Sequence, residues 1–299
     1  MKIVKPSRKI LNCYNTVIMV VTLSLVILTP VIMCVGIGLK SSMLFESLPL
    51  YKIFFSSAWE PAKGNFGFLP FILSSIFITF LAVCIAGPVC LLTALYLTQY
   101  ARERLVRIMQ PVIDILAGIP SVVYGVWGII IIVPFISDTL APKFGLQTTG
   151  YTLLTAGIVL AVMIIPFILN ILIEILRTVP YELTEATLAL GATKWETVKH
   201  VIIRKAKPGI ISAFGLGISR AFGETIAVLM VAGNVARIPN GLFDPAYPLP
   251  ALIANNYGEM MSIPLYDSAL MMAALILLMS VLFFNFLSRL SIYRLEKKL

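Results

Sequence analysis

The sequence predicts an all-α, polytopic membrane protein with six transmembrane helices. Three observations carry that expectation. Of 299 residues, 59% are hydrophobic and only 12% are charged, about half the charged fraction of a soluble domain. Six apolar stretches each approach or exceed the roughly 20 residues that cross a bilayer as a helix. The basic residues gather in alternate connections between those stretches.

The same composition excludes other classes. A net charge of +9 would form a clustered basic face in a nucleic-acid binder, but here it is divided among short loops, so no nucleic-acid partner is expected. Cys13, Cys34, Cys84 and Cys90 lie in or beside apolar runs with no C-x-x-C spacing, which reads as buried thiols and not as a metal site or disulfide framework. With a single histidine, His200, the chain has no zinc or nucleophile constellation. It also lacks a G-x-x-x-x-G-K-[ST] loop for binding ATP itself. A non-catalytic chain without metal or cofactor is expected.

The first apolar run, residues 16–39, follows Lys2, Lys5, Arg8 and Lys9. It exceeds the roughly 7–15 residues of a signal-peptide core and ends in GIGLKSSM, so it is expected as the first membrane helix. Residues 40–67 read as an aromatic, Pro- and Gly-containing loop, and 68–97 as the second span. Residues 108–136 carry Pro111, Gly118, Pro120, Gly125, Gly128 and Pro134. That third span must be kinked or broken, which membranes tolerate where neighbouring helices or a water-lined cavity satisfy the freed backbone. Spans four, five and six are expected at 151–176, 209–231 and 268–286. The chain thus divides into residues 1–67, carrying the first helix and its loop, and a transmembrane core, 68–299, with a polar connection at 177–207.

Charge sets the orientation. Seventeen of the 23 Lys and Arg residues fall at the two termini, at 102–107 and at 177–207. The opposite loops hold Lys40, Lys52, Lys63, Lys143 and Arg237. The positive-inside rule then places both termini in the cytoplasm.

The connection 177–207 is expected to be ordered. Pro180 suits a first helical turn, Glu182 and Glu185 favour its dipole, and Gly191 suits a left-handed stop. Thr193 and Glu196 have the spacing of a capping box that opens a second helix, whose Trp195, Val198 and Ile202 form one apolar stripe. By spacing alone, this loop fits either an amphipathic hairpin resting on lipid headgroups or a docking element for a partner.

Span five contains Gly215, Ser219 and Gly223 at intervals of four, a small-residue face for close helix approach. Arg220 and Glu224 are also four apart, on an adjoining face. Charges at this depth cost about 2.5–3.5 kcal/mol on insertion scales, so each must pair or face protein or water. Two readings stay open: Arg220 contacts a translocating anion while Glu224 steadies it, or the two form a salt bridge at a gate or subunit contact. Of the remaining polar residues, Asp114 is expected to satisfy local backbone at a helix end. Glu174 is expected to pair with Arg177, and Asn170 and Asn285 to hydrogen-bond between helices.

The segment EATLALGATKWETVKHVIIRKAKPGI resembles the cytoplasmic loop by which ABC importer permeases (the MetI-like fold) seat in their ATPase subunits. Glu185, Ala186 and Gly191 match that pattern; Thr187 replaces its second Ala, and Ile203-Arg204 stands where the family has Leu-Pro. SRAFGETIAVLMVAGN resembles the Arg-Ala-x-Gly-Glu-Thr signature of phosphate ABC importer permeases, closer to the PstC type than to its PstA sister, and AGIPSVVYGVWG resembles that family's broken third helix. The resemblance implies a phosphate-importing permease subunit of the bacterial inner membrane. It implies Glu182, Glu185, Ala186, Gly191, Thr193 and Trp195 at the ATPase, and Arg220, Glu224 and Thr225 along the substrate path or gate. It also implies a homologous permease, two ATPase subunits holding ATP-Mg, and a phosphate-binding protein as partners. A permease for sulfate or molybdate is the alternative. An ion-coupled secondary transporter is a further one, but it calls for internal repeat symmetry that the sequence does not display.

Overall fold

A computed structural model describes residues 8–258 and 263–296; Lys2, Lys5, Lys297 and Lys298 lie outside the described residues. The elements run α1 (Arg8–Lys40), α2 (Ser42–Ser47), α3 (Leu50–Phe55), β1 (Trp59–Glu60), β2 (Asn65–Phe66), α4 (Leu69–Gln99), α5 (Glu103–Gly118), α6 (Ser121–Trp127), α7 (Ala141–Lys143), α8 (Leu153–Arg177), α9 (Tyr181–Ala189), α10 (Lys194–Thr197), α11 (Ile203–Phe222), α12 (Ile226–Val231), α13 (Leu249–Asn256) and α14 (Pro264–Glu296). Wider π-helical turns at Gly128–Ile132, Phe135–Leu140 and Val198–Ile202 join some of these without a break.

Among the described residues five helices, not six, are long and apolar enough to cross a membrane: Tyr14–Lys40, Leu69–Gln99, Ser121–Lys143, Leu153–Arg177 and Pro264–Leu290. Two expected spans differ, each for a local reason. The stretch 108–136 is divided between α5 and α6 at Ile119, whose ψ of 129° is the extended conformation that a following proline imposes. The stretch 209–231 is divided between α11 and α12 at Gly223-Glu224-Thr225. Glycine is a poor helix former, and the Glu224 carboxylate accepts the Ala227 N–H at 3.5 Å, at the start of the next helix.

Helix α8 is the axis of the main core. Ile164, Ile168 and Leu172 are fully buried on it, and α4, α5, α11 and α12 pack around it. Lipid tails are as apolar as leucine, so association here rests on close packing and interhelical hydrogen bonds. The glycines show it. A Cβ on Gly157 would stand 2.5 Å from Leu81 Cδ2 of α4, and one on Gly217 would stand 2.5 Å from Ile168 Cδ1. The expected small face of α11 is used at Gly215, which abuts Ser288 of α14, whereas Gly223 meets only carbonyls of its own helix.

A second core lies at the other end of the molecule from the 177–207 connection. The expected loop 40–67 is in fact structured there: α2, α3 and an antiparallel hairpin pairing Trp59 with Phe66. The Trp59 ring lies 5.4, 5.5 and 4.9 Å from those of Phe66, Phe68 and Phe71. On α4, Ser74 and Ser75 accept the N–H groups of Tyr247 and Leu249, fixing the start of α13. The 232–248 segment returns to α8, where Asp244 and Leu242 carbonyls accept the Leu153 and Leu154 N–H groups that a helix N-terminus leaves unpaired.

Candidate functional site

The polar connection folds as expected in its caps. Helix α9 ends in a Schellman arrangement: Ala192 N–H donates to the Thr187 carbonyl and Gly191 N–H to that of Leu188, with Gly191 at φ +88°. The Thr193 side chain then accepts the Glu196 N–H at 3.3 Å, while Glu196 accepts the Thr193 N–H at 2.8 Å and its hydroxyl at 2.7 Å. These bonds to Thr193, backbone first, with His200 adding a small attraction, hold the Glu196 carboxyl below its usual value. Pro180 stands at the cap position and α9 begins at Tyr181.

Glu182, Glu185, Ala186, Gly191, Thr193 and Trp195 are all exposed, and α9 buries none of its residues. Tyr181, Leu188, Leu190 and Trp195 leave apolar side chains uncovered around them. Of the expected apolar stripe, Val198 and Ile202 are buried but Trp195 is 55% exposed, turned away from the chain's own core.

Past α10 the helix does not stop. It passes through the π-turn Val198–Ile202 into α11 and runs on to Phe222, with Ile203 and Arg204 inside it. Arginine supplies the N–H and helix propensity that proline would deny. The connection is thus one helical path from Lys194 to Arg220, about 40 Å at the α-helical rise. This continuity was not foreseen, although Arg204 in place of a proline was its signal.

At the far end of that path Arg220, in the last turn of α11, is exposed. Its guanidinium carbon lies 4.5 Å from the centroid of the Phe167 ring of α8. Among the described residues Arg220 has no ion pair; the helix break carries Glu224 off the face that four-residue spacing would have given it. Thr225 follows in the break, its hydroxyl donating to the Gly223 carbonyl at 3.4 Å. The chain therefore brings Arg220, Glu224 and Thr225 to one kink without joining them.

One turn along α8 from Phe167, Asn170 donates to Asp114 at 3.0 Å and accepts from Gln110 at 3.1 Å. Asp114 thus does not serve local backbone, as expected from sequence; it ties α5 to α8. Asn170 is interhelical as expected, whereas Asn285 donates to Val281 in its own helix, and Glu174 forms no ion pair with Arg177 among the described residues. Gln110 was missed, though its four-residue spacing from Asp114 marked both as one face of α5. The result is a polar strip, Arg220–Phe167–Asn170–Asp114, on helices that otherwise present apolar side chains.

Residues 88–299 match the family described as binding-protein-dependent transport system inner membrane component. The chain is 36% identical to the phosphate transport system permease protein PstC of Xylella fastidiosa (strain Temecula1 / ATCC 700964) over 261 residues, covering 83% of this chain and 80% of that protein. It is 39% identical to the probable ABC transporter permease protein YqgH of Bacillus subtilis (strain 168) over 249 residues, covering 82% and 79%. Its fold resembles a chain of the MetNI methionine ABC transporter solved in inward facing conformations, with a TM-score of 0.54 at 23% identity over 74% of this chain and 91% of that one. Taken with the capped, exposed polar loop and the broken, charged helix, these likenesses lead to one conclusion: the chain belongs to the binding-protein-dependent transport system inner membrane components.

Proposed function

We propose that this chain is one of two homologous permease subunits of an ATP-driven importer of inorganic phosphate. It crosses the bacterial inner membrane six times, with α5–α7 and α11–α12 as broken crossings and both termini in the cytoplasm. A PstA-type permease completes the translocation path. Two ATPase subunits bind ATP-Mg, and one of them seats on α9 through Glu182, Glu185, Ala186 and the Gly191 corner; Thr193 and Trp195 open the helix that receives its motion. A phosphate-binding protein delivers substrate at the opposite face. This chain carries out no covalent step and needs no cofactor of its own.

One observation carries the reading: Arg220 stands at the end of the helix that begins in the docking loop, stacked on Phe167 and free of any carboxylate among the described residues. A guanidinium so placed keeps its planar fork available to a tetrahedral oxyanion. Glu224 and Thr225 lie at the kink, where a tilt of α11 relative to α12 would reposition them. The switch is then a hinge motion between inward- and outward-facing states.

The test is reconstitution of the purified complex with uptake of radiolabelled phosphate and sulfate. Phosphate uptake that requires ATP, with Arg220→Gln and Glu224→Gln each abolishing it in a complex that still assembles, is the expected result. Normal uptake in both variants, or a complex that never contains an ATPase subunit, overturns the proposal; sulfate uptake in preference to phosphate reassigns the substrate.

A further inference from the structure

Beneath α9 lies a partly open pocket of about 410 Å³ that the translocation reading does not use. Thr98 comes to it from the end of α4, Arg177 from the end of α8, Tyr181 and Thr184 from α9, and Lys194 from α10. Two cations and three hydroxyls line it together with apolar side chains such as Leu176 and Ile202, and no carboxylate does. Glu174, Glu182, Glu185 and Glu196 each lie within three residues of a lining residue in sequence, and none of them is part of its wall; the Glu196 carboxylate is taken up by Thr193.

The cations are uncompensated. Among the described residues neither Arg177 nor Lys194 has an ion-pair partner. The Lys194 ammonium instead lies 4.9 Å from the centroid of the Tyr100 ring, which steadies a cation without cancelling its charge. Both cations are exposed at the mouth of the pocket, so solvent screens their repulsion and leaves both charges within reach of an anion from outside. The location also bears on the ligand: Arg177 is the last residue of an apolar 25-residue helix, the depth at which a membrane helix meets the headgroups. Basic pockets between membrane helices on the cytoplasmic side characteristically take lipid phosphates, and the volume falls within the usual range for ligand sites, about 300–1,000 Å³.

We infer that this cavity binds a phosphate group, supplied either by an anionic phospholipid headgroup or by free inorganic phosphate. Arg177 engages its oxygens through the guanidinium fork and Lys194 through its ammonium, with the Tyr181 and Thr184 hydroxyls as further donors. The ligand then bridges the fixed end of α8 to the first turn of the Lys194–Arg220 helix, across the docking helix α9. Occupancy links the loop's position to membrane composition in the first case and to cytoplasmic phosphate in the second. The binding step stands without the transport reading; its effect on coupling rests on that reading.

Native mass spectrometry of the whole complex tests it. Complex is extracted from vesicles of phosphatidylcholine alone and of phosphatidylcholine with phosphatidylglycerol, and is then exposed to inorganic phosphate. Wild type is expected to retain either phosphatidylglycerol that free phosphate does not displace, identifying the lipid, or inorganic phosphate in the lipid-neutral arm, identifying the free ion. The Arg177→Gln/Lys194→Gln variant is expected to lower the occupancy at least tenfold, with phosphate uptake measured on the same samples to keep the transport reading separate. Thr184→Phe, which fills the cavity and keeps both charges, should do the same and serves where the double variant does not assemble. Adducts equal to wild type in either assembled variant, or neither a phosphatidylglycerol nor an inorganic-phosphate adduct in the wild type, would falsify the inference.

Discussion

The Arg220 guanidinium rests on the Phe167 ring, 4.5 Å from its centroid, and not on Glu224 four residues further along. The residue that a helical wheel would have paired with it lies instead in the break before α12, where it accepts the Ala227 N–H. Stacking of this kind is worth about 0.5–1 kcal/mol when exposed and about 2 or more when desolvated.

A double-mutant cycle should therefore find Arg220 coupled to Phe167 and not to Glu224. With Phe167→Leu and Arg220→Gln in the assembled complex, resistance to denaturant is expected to show a coupling of about 0.5–2 kcal/mol. The Arg220–Glu224 cycle is expected to come out below about 0.5 kcal/mol. The reverse ranking would mean that the ion pair dominates the resting state.

The Asp114–Asn170 hydrogen bond is a tie between α5 and α8, and its loss is predicted to be modest. Asn170→Leu should destabilise the chain in detergent by about 0.6–1.7 kcal/mol, the range for hydrogen bonds between membrane helices. Asp114→Asn, whose carbonyl still accepts from Asn170, should cost less. Equal losses from the two substitutions would show that the charge, and not the hydrogen bond, matters at this position.

Two glycines should respond oppositely to a side chain. Gly217 has Ile168 Cδ1 at 2.5 Å from the place a Cβ would take, while Gly118 has nothing within 4 Å. Gly217→Val is expected to cost about 1–3 kcal/mol through overpacking of α11 on α8. Gly118→Ala, at the end of α5, is expected to be neutral or to gain up to about 1 kcal/mol. Thermal unfolding of the purified chain in detergent separates them.

The Glu196 carboxyl is held low, above all by the Thr193 N–H. A group whose folded value is depressed contributes stability at pH values above its unfolded value, about 4.3 for glutamate. That contribution is lost as pH falls through the lower, folded value. The protection of the Lys194–Thr197 amides, taken relative to their intrinsic exchange rates at each pH, should thus fall on acidification through the carboxylate range in wild type. In Glu196→Gln that protection should be low already at neutral pH and change little; an unaltered acid response in that variant would remove Glu196 as the cause.

Local chemistry in the loop was legible because its signals lie within a few residues of one another: Gly191 for the left-handed turn, Thr193 with Glu196 for the cap. The breaks were only half legible. Pro120 announced its own, but nothing in hydropathy distinguished Gly223-Glu224-Thr225 from a continuous span, because flanking apolar residues average away a three-residue interruption. The Asp114–Asn170 bond and the stacking of Arg220 on Phe167 join residues more than fifty positions apart. Periodicity says which face a residue occupies and not which helix comes to meet it. The aromatic loop at 40–67 was misjudged for a related reason, since Trp59 acquires its order from Phe71 and neighbours that only the fold supplies.

The helix from Lys194 to Arg220 is continuous although Pro208 lies within it, and it meets α8 at two glycines. At Gly209 a Cβ would stand 2.5 Å from Ile175 Cγ2 and at Gly217 one would stand 2.5 Å from Ile168 Cδ1, so the rod lies hard against α8 at both. Fifteen residues separate Lys194 from Gly209 and eleven separate Gly209 from Arg220, giving arms of about 22 and 16 Å at the α-helical rise. A tilt about the Gly209 contact would move Arg220 opposite to Lys194 and by roughly three-quarters as much, and it would have to loosen or tighten the contact of Gly217 with Ile168 as it did so.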